Sequence, residues 1–523
     1  MNEYKICFIT CLNDKILYSE TVRYIRSLSV PNGYEVELVS ICDYRCLSEG
    51  YDRGMRQSDA KYKVYLHQDT LIINKSFISD ILSIFLNNSK LGMLGVLGAK
   101  KLPPNGFFSD AKECYGMVCE SNGPSGIKIL NANEVLSDYE PVEAIDGLIM
   151  VTQYDVTWRS DLFLDWHMYD ISQAIEFKRA GYEVGVPRQE SSWCMHDRSL
   201  LDYTGYEEER LAFLKEYSED LFPLVSILIP ACNKPYHLEL ALQSVLYQSY
   251  HNVEIIIGDD STNDEVQKIV EPYLERYKRI TYYRNEKKPG AVNLYKLYSL
   301  ARGEFINFLM DDDLFVYDKI EKMVMQFYKH DTISLVTSRR QLIDENGEFL
   351  NLKNYSEVIF SENTILNGME LGSQLLSKSS NLIGEPTTGM FRRKEIEKYG
   401  FYYDKDFNAL NDVATWITLM EKGDVLYLAE SLSYSRQYSE QNKVTSQYKI
   451  LGMDEWLRLI IESRKHGFFK NDLMYKEAIS NYLKLTLDVV SSFHKEELIQ
   501  TLDVSYIQEN FDRAMKEFLA YQT

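Results

Sequence analysis

Three consecutive aspartates, Asp311, Asp312 and Asp313, follow the apolar run "INFLM" (306–310). Adjacent carboxylates repel one another and resist burial without a compensating charge. Either the triplet is a solvated turn that caps the next helix, or a cation sits on it. Two further features favour the cation. Asp259 and Asp260 end another apolar run in "IIIGDDSTND" (255–264), and "PACN" (230–233) ends a third. Carboxylates gathered at strand ends offer the oxygen ligands that Mg2+ or Mn2+ prefers, and such an ion leaves positions for the oxygens of a diphosphate.

These groups need a scaffold that brings strand ends together, and residues 224–440 have the pattern of one. "LVSILIPA" (224–231) and "NVEIIIGDD" (252–260) read as buried strands. Between them Leu238, Ala241, Leu242 and Val245 fall on one face of a helix with Pro235 in its first turn. Strand, helix and strand in so short a span is a βαβ unit. The alternation continues through "ISLVTS" (333–338). The expectation is an α/β fold on a parallel sheet, with ligands at the carboxyl ends of its strands. The first 200 residues repeat the theme more weakly in "YKICFITC" (4–11), "YEVELVSICD" (34–43) and "YKVYLHQDT" (62–70), the last ending in metal-competent residues. Aligning Asp69 with Asp313 gives an offset of 244, and Asp170 with Asp412 gives 242, so the chain reads as two divergent copies of one fold. The expected divisions are a first domain over 1–200, a charged linker helix over 201–223, a second domain over 224–445, and a helical region over 446–523 with no chemistry of its own.

Composition sets bounds on partners. A chain of 523 residues exceeds one ordinary core. Its net charge of -21 argues against a nucleic-acid backbone as partner. No run of about 18 apolar residues occurs, and "MNEYKICFIT" lacks the sections of a signal peptide. A cytoplasmic location without a transmembrane segment is therefore expected, and peripheral membrane association is compatible with it. Seven of the eight cysteines precede residue 200 and read as reduced core thiols. The Cys42/Cys46 and Cys114/Cys119 pairs lack the two-residue spacing of a zinc knuckle.

In chain order, Pro230, Asn233, Asp259-Asp260-Ser261, Asn293 and the aspartate triplet resemble the inverting family 2 glycosyltransferases, which have the nucleotide-diphospho-sugar fold called GT-A. "EPTTGMFRRKEIEKYGFYYDKDFNALNDVATWITLMEKG" (385–423) resembles that family's acceptor-side strand and the helix bearing its catalytic base. The resemblance implies that Pro230, Asn233, Asp259, Asp260, Asn293 and Asp311 bind the nucleotide sugar, with Asp259 at the uracil ring. It implies a metal on Asp312 or Asp313 and a general base at Asp412. Met310 stands where many relatives carry the first acid of the motif, so the choice between Asp312 and Asp313 stays open. Arg436 and Gln441 resemble a loop that closes over the diphosphate, and the absence of a Gln-x-x-Arg-Trp motif implies transfer of single sugars. Such chemistry needs a metal to neutralise the leaving diphosphate and a carboxylate on the opposite side to take the proton of the acceptor hydroxyl.

The N-terminal half resembles a divergent branch of the same superfamily, with "HQD" (67–69) in place of the acidic triplet. There the resemblance implies Asp69, His67 and His196 as metal ligands, a mixed set that suits Mn2+. It implies Asp170 in "DWHMYDISQAIEFKRAGY" (165–182) as the base, and Thr10 and Asp43 beside the nucleotide. The implied activity moves sugars from nucleotide-sugar donors, UDP-sugars first among them, to a glycan or glycoprotein acceptor, with Mn2+ or Mg2+ as cofactor. Two alternatives stand beside it. One is a single active C-terminal domain with an N-terminal acceptor-binding or scaffold module. The other is a sugar-1-phosphate nucleotidyltransferase, which would need a glycine-rich phosphate loop that "PACNKPY" (230–236) lacks.

Overall fold

The computed structural model describes residues 1–121, 126–197, 203–286, 291–350, 360–438, 446–495 and 505–520. Two compact units divide the chain, Met1–Leu221 and Phe222–Thr523. Among the described residues, no helix is long and apolar enough to cross a membrane.

In the second unit, strand Val225–Ala231 is buried along almost its whole length, as a strand covered on both faces must be. It pairs in parallel with Val253–Asp259 on one side and Phe305–Phe308 on the other. Their carboxyl ends therefore share one edge, which gathers residues 232–234, 259–261 and 309–313. The intervening helix, Pro235–Leu246, starts on its proline and buries Leu238, Ala241, Leu242 and Val245, the face read from the sequence. Beyond Phe305–Phe308 the sheet continues through antiparallel Met390–Arg392 to Ile333–Ile343 and Asp424–Arg436. The short strand Leu314–Phe315 runs antiparallel to Asp424–Arg436 and brings the end of the acidic triplet beside Arg436. Three helices close this unit: Ser446–Lys465, Asp472–Lys495 and Ser505–Ala520. Trp456, Leu457, Ile460, Tyr475 and Tyr482 from them share one core with Trp416 and Phe407. Burying side chains of this size contributes about 1.5–3 kcal/mol each, so these helices are part of the unit's core.

In the first unit, Asn2–Cys11 lies between parallel neighbours Glu35–Ile41 and Ala60–Leu66. This sheet extends through Ile149–Thr152, Leu91–Gly95 and Glu183–Pro187. A second sheet carries Cys114–Ser121, Cys194–Asp197 and Thr70–Ile72. Antiparallel pairing sets Thr70 opposite His196 and so joins the "HQD" turn to the last strand. Helix Tyr206–Leu221 packs on this unit through Phe213 and Tyr217, with ion pairs from Arg159 to Glu216 at 3.0 Å and from Arg179 to Asp220 at 2.7 Å. None of the eight cysteines is in a disulfide; Cys7, Cys11, Cys46 and Cys194 are buried and Cys42 is exposed.

Lys319 begins helix Lys319–Lys329 fully buried, its Nζ donating to the Thr388 carbonyl at 3.3 Å. Burial pushes its pKa down from 10.5 to about 7. Between those values the unfolded chain holds the proton and the folded chain does not, so this group makes stability rise with pH from about 7 to 10.5. Lys319→Met should stabilise the protein by about 1–3 kcal/mol at pH 7, with the gain fading towards pH 10. Thermal melts at pH 6, 8 and 10 check it; a gain independent of pH contradicts it.

Candidate active site

The acidic triplet of the second unit is buried, and each member is compensated differently. Asp311 accepts the Cys232 N–H at 2.8 Å and lies 3.3 Å from the Lys234 ammonium. Asp312 is ion-paired to the same Lys234. Asp313 accepts the Thr387 hydroxyl at 2.6 Å and the Arg436 N–H at 2.9 Å, one bond on each oxygen. Burial pushes Asp311 up to about 6, against the pull of Lys234. Burial and the charge of Asp312 push Asp313 up to about 7. Burial works against the Lys234 charge, yet Asp311 and Asp312 hold its pKa above the ordinary value. Arg436 is itself buried, with its guanidinium donating to the carbonyls of Asp312 at 2.9 Å and Asp344 at 2.8 Å. It braces the acidic turn from behind. Gln441 lies outside the described residues.

Beside the triplet lies a second hydrogen-bonded network. Asn233 has a left-handed backbone (φ 55°), and its side-chain oxygen accepts the Thr262 N–H at 2.9 Å while its own N–H donates to Ser261 Oγ at 2.8 Å. Strained residues of this kind persist where the surroundings fix them. Pro230 sits on the adjoining strand end, partly exposed. Asp259 is 0% exposed and accepts the Ser261 N–H at 2.8 Å and the Tyr282 hydroxyl at 2.7 Å. Asp260 accepts from Asn285 at 2.8 Å. Asn293 donates to the Gly258 carbonyl at 2.8 Å and accepts from the Tyr283 hydroxyl at 2.8 Å. The residues singled out in the sequence thus meet at one edge, with Asp259 behind Tyr282.

Asp412 occupies the first turn of helix Asn411–Lys422. One oxygen accepts the Val413 N–H at 2.8 Å and the other accepts from Asn381 at 2.9 Å. Burial, then the charge of Glu385, push its pKa up to about 6. Glu385 is paired with Arg340 at 2.6 Å. The segment 381–388 therefore links Asp412, through Asn381, to Asp313, through Thr387. Lys234, Asn381 and Thr387 were not anticipated; only the lysine left a trace, as a lone cation directly after "PACN".

In the first unit, His67, Asp69 and His196 each offer a ligand atom, all within 4.8 Å of one another. Among the described residues this is the one such group of three. Its span and its nitrogen and carboxylate donors fit a single transition-metal ion. Asp69 and His196 lie 3.6 Å apart. Burial works against the Asp69 charge, but the His196 hydrogen bond and the two imidazoles prevail and hold its pKa down. His67 Nε2 and the Tyr169 hydroxyl are 2.6 Å apart. The next residue is Asp170, in the first turn of helix Tyr169–Arg179 after Met168, whose backbone is left-handed (φ 56°). Asp170 accepts the Ile171 N–H at 2.8 Å and the Gly147 N–H at 2.9 Å, and burial followed by the charge of Asp146 pushes it up to about 7. Thr10 is buried in strand Asn2–Cys11, and Asp43 is exposed beyond the end of Glu35–Ile41, its carbonyl accepting from Arg53.

The two turns correspond with a shift of one residue from the sequence alignment. Thr70 N–H donates to the His67 carbonyl as Asp313 N–H donates to that of Met310. Gln68 accepts the N–H groups of Asn13 and Asp14, just after the first strand, as Asp311 accepts that of Cys232. The antiparallel pairing that follows opens at Thr70 in the first unit and at Leu314 in the second, so the shift is set by the turn hydrogen bonds and not by the strand pairing. Asp69 is thus the counterpart of Asp312 rather than of Asp313.

Comparison with known proteins gives a consistent result. Residues 7–217 match the family described as "Glycosyltransferase like family", and residues 226–400 match "Glycosyl transferase family 2". The chain carries two family 2-like glycosyltransferase domains in tandem. The chain is 27% identical over 206 residues to a Bacillus subtilis (strain 168) protein named "Putative teichuronic acid biosynthesis glycosyltransferase TuaG", covering 39% of this chain and 75% of that one. It is 27% identical over 127 residues to "Glycosyltransferase GlyG" of Streptococcus pneumoniae serotype 4, covering 24% of this chain and 42% of the relative. A match to a Rickettsia bellii glycosyltransferase at 25% identity covers 42% of this chain and 31% of that relative. Among solved structures, S. aureus TarS 1-349 in complex with UDP-GlcNAc overlaps 56% of this chain and 80% of its own, at 16% identity and a TM-score of 0.40. The large mixed sheet of each unit, with its flanking helices, agrees with the α/β GT-A arrangement expected of the family. Asp412 and Arg436 fall beyond the second matched region, whereas Asp170 and the His67, Asp69 and His196 cluster fall within the first.

Gly147 tests the link between His67 and Asp170. A Cβ there would lie 2.0 Å from Tyr169 Oη and 3.1 Å from an Asp170 oxygen. Gly147→Ala should expel Tyr169 from His67 and cost about 1–3 kcal/mol of stability. Denaturant unfolding measures this; an unchanged midpoint rules the tight contact out.

Proposed function

We propose that this cytoplasmic tandem glycosyltransferase is metal-dependent and inverting, and that each unit moves one sugar from a nucleotide-sugar donor, UDP-sugars first, to a glycan or glycoprotein acceptor. One observation carries the reading. Each unit sets an aspartate of raised pKa in the first turn of a helix, bonded to the N–H of the next residue, and connects it through one short relay to an acid-bearing turn at the sheet edge.

Asp412 and Asp170 are the bases. Each takes the proton of an acceptor hydroxyl while the oxygen attacks the anomeric carbon from the side opposite the leaving diphosphate, which inverts that centre. A pKa of about 6 or 7 suits this at neutral pH, because the carboxylate is ionised yet still accepts a proton readily. In the first unit Asp69, His196 and His67 would hold a divalent ion. In the second unit Asp312 would, since both oxygens of Asp313 already accept hydrogen bonds and Asp312 is the counterpart of Asp69. Such an ion, when bound, offsets the charge that develops on the leaving diphosphate. Pro230, Asn233, Asp259, Asp260, Asn293 and Asp311, with Thr10 and Asp43 in the first unit, form the nucleotide side. Each Asp259 oxygen retains acceptor capacity beyond its single bond, and a uracil N–H would reach it once the Tyr282 hydroxyl turns aside. Arg436 keeps the acidic turn in place beneath the diphosphate.

A screen of UDP-, GDP- and dTDP-sugars with Mn2+, Mg2+ or EDTA, following nucleoside diphosphate release, tests the activity. Asp412→Asn and Asp170→Asn should each remove one product and slow its formation by about 100-fold or more, and wild-type rates should fall as the bases protonate, below about pH 7 for the Asp170 product and below about pH 6 for the Asp412 product. Turnover persisting in the double variant would remove both from the role of base. Loss of product with Asp412→Asn alone would instead make the first unit an acceptor-binding module. Without metal, Lys234→Met leaves Asp311 and Asp312 uncompensated and should cost about 3–5 kcal/mol. Added Mn2+ should restore the melting temperature of that variant; if it does not, Asp312 is not a metal ligand.

A further inference from the structure

Two glutamates distant in sequence from the acidic turns do the same work in the two units. Glu455, on helix Ser446–Lys465, is 0% exposed, and its carboxylate accepts three backbone N–H groups. One oxygen takes Asn408 at 2.8 Å, and the other takes Ala409 at 2.9 Å and Leu410 at 2.7 Å. These three residues lead directly into the helix whose first turn holds Asp412. Glu209, on helix Tyr206–Leu221, is 7% exposed and accepts the N–H of Asp165 at 2.7 Å and of His167 at 3.0 Å. That segment leads into the helix whose first turn holds Asp170. A second tie accompanies each clamp: the Tyr448 hydroxyl donates to the Asn408 carbonyl at 2.8 Å, and His167 Nε2 lies 3.1 Å from the Thr204 carbonyl.

An ionised carboxylate is costly to bury, and here the N–H groups of the loop it holds supply its hydrogen bonds. Several N–H groups that converge outside any sheet or helix need an acceptor with several lone pairs, and a carboxylate supplies about four. The local sequences of the two loops differ, "DWHMYD" (165–170) against "NALND" (408–412), so the shared feature is the clamp and not the loop. A loop so held fixes where the first turn of the next helix points, and a displacement of about 1 Å at a reacting group is enough to slow chemistry strongly.

We infer that Glu209 and Glu455 are positioning residues that aim Asp170 and Asp412, so that each transfer unit is completed by the helix following its sheet. The inference rests on the reading of those aspartates as bases. The helix Tyr206–Leu221 then belongs to the first unit's catalytic apparatus, and Ser446–Lys465 to the second's.

The experiment uses the full chain with Glu455→Gln and Glu209→Gln. A glutamine keeps one acceptor oxygen and turns an N–H2 group towards the remaining N–H donors. Hydrogen exchange should show lost protection at 408–412 in the first variant and at 164–170 in the second, each leaving the other loop unchanged. Carbodiimide labelling against pH should show the Asp412 midpoint moving from about 6 towards ordinary carboxylate values in Glu455→Gln, with Asp170 unmoved, and the converse in Glu209→Gln. Labelling reports the setting of each carboxyl whether or not it is the base, so the clamp and the base assignment fail separately. With UDP-N-acetylglucosamine and Mn2+, Glu455→Gln in an Asp170→Asn background should lose tenfold or more in kcat for donor hydrolysis with donor KM within twofold. Glu455→Asp, which keeps the charge on a shorter arm, should fall between. Retained protection with an unmoved midpoint overturns the inference, and so does an unchanged kcat once the loop has been released. If Glu455→Gln does not fold, Glu455→Asp and Glu209→Gln decide it.

Discussion

Everything at the carboxyl edge of these sheets depends on keeping carboxylates in place against repulsion and desolvation. Three adjacent aspartates cannot all be buried and ionised without compensation. In the second unit the compensation is divided among unlike groups: one ammonium for Asp311 and Asp312, a hydroxyl and a backbone N–H for Asp313, and an arginine bonded to the turn's carbonyl. The division matters because it leaves the acids unequal. Asp313 is held by a hydroxyl and a backbone N–H, whereas Asp312 is held by the long side chain of Lys234.

The first unit meets the same constraint with different residues. Helices Lys15–Arg26 and Pro235–Leu246 both follow the first strand of their unit, but the residue before each differs. Where the second unit has Lys234, the first has Asp14, which caps its own helix by accepting the N–H groups of Ile16 and Leu17. No ammonium is then available from that position. One acid remains in the turn instead of three, with Gln68 doing by neutral hydrogen bonds what Asp311 does with charge, and imidazoles standing beside Asp69. The smaller charge and its softer neighbours are parts of one change.

Much of this was legible in the sequence, and the remainder was hidden for identifiable reasons. The parallel strands were visible because strands covered on both faces are continuous apolar runs, and helix Pro235–Leu246 because its buried face has helical spacing. Asp259 and Asp311 stood out as candidates because each follows such a run, whereas Asn293 and Asp412 were singled out by the family resemblance. The turn register was not: a shift of one residue between Asp69 and its counterpart is set by a backbone hydrogen bond across the turn and by the N–H groups that Gln68 and Asp311 accept. The second sheet of the first unit was missed as well, since strands such as Ile127–Asn131 are short and largely exposed and carry little periodicity. Lys234, Asn381 and Thr387 are ordinary residues until the fold places them against an acid.

The helices after each sheet show how far such long-range effects extend. The tail beyond residue 446 has helical periodicity and no chemical signature, and its sequence alone suggests a cap. In the structure its apolar residues share a core with Trp416, on the helix that carries Asp412, while Glu455 bonds the loop that enters that helix. Loosening the tail would therefore move the carboxylate as well as expose apolar surface. Function and stability are coupled here through one buried glutamate, and the coupling recurs in the first unit through Glu209 on a helix that reads as a linker. A boundary drawn where strand texture ends would cut each unit from the residue that aims its aspartate.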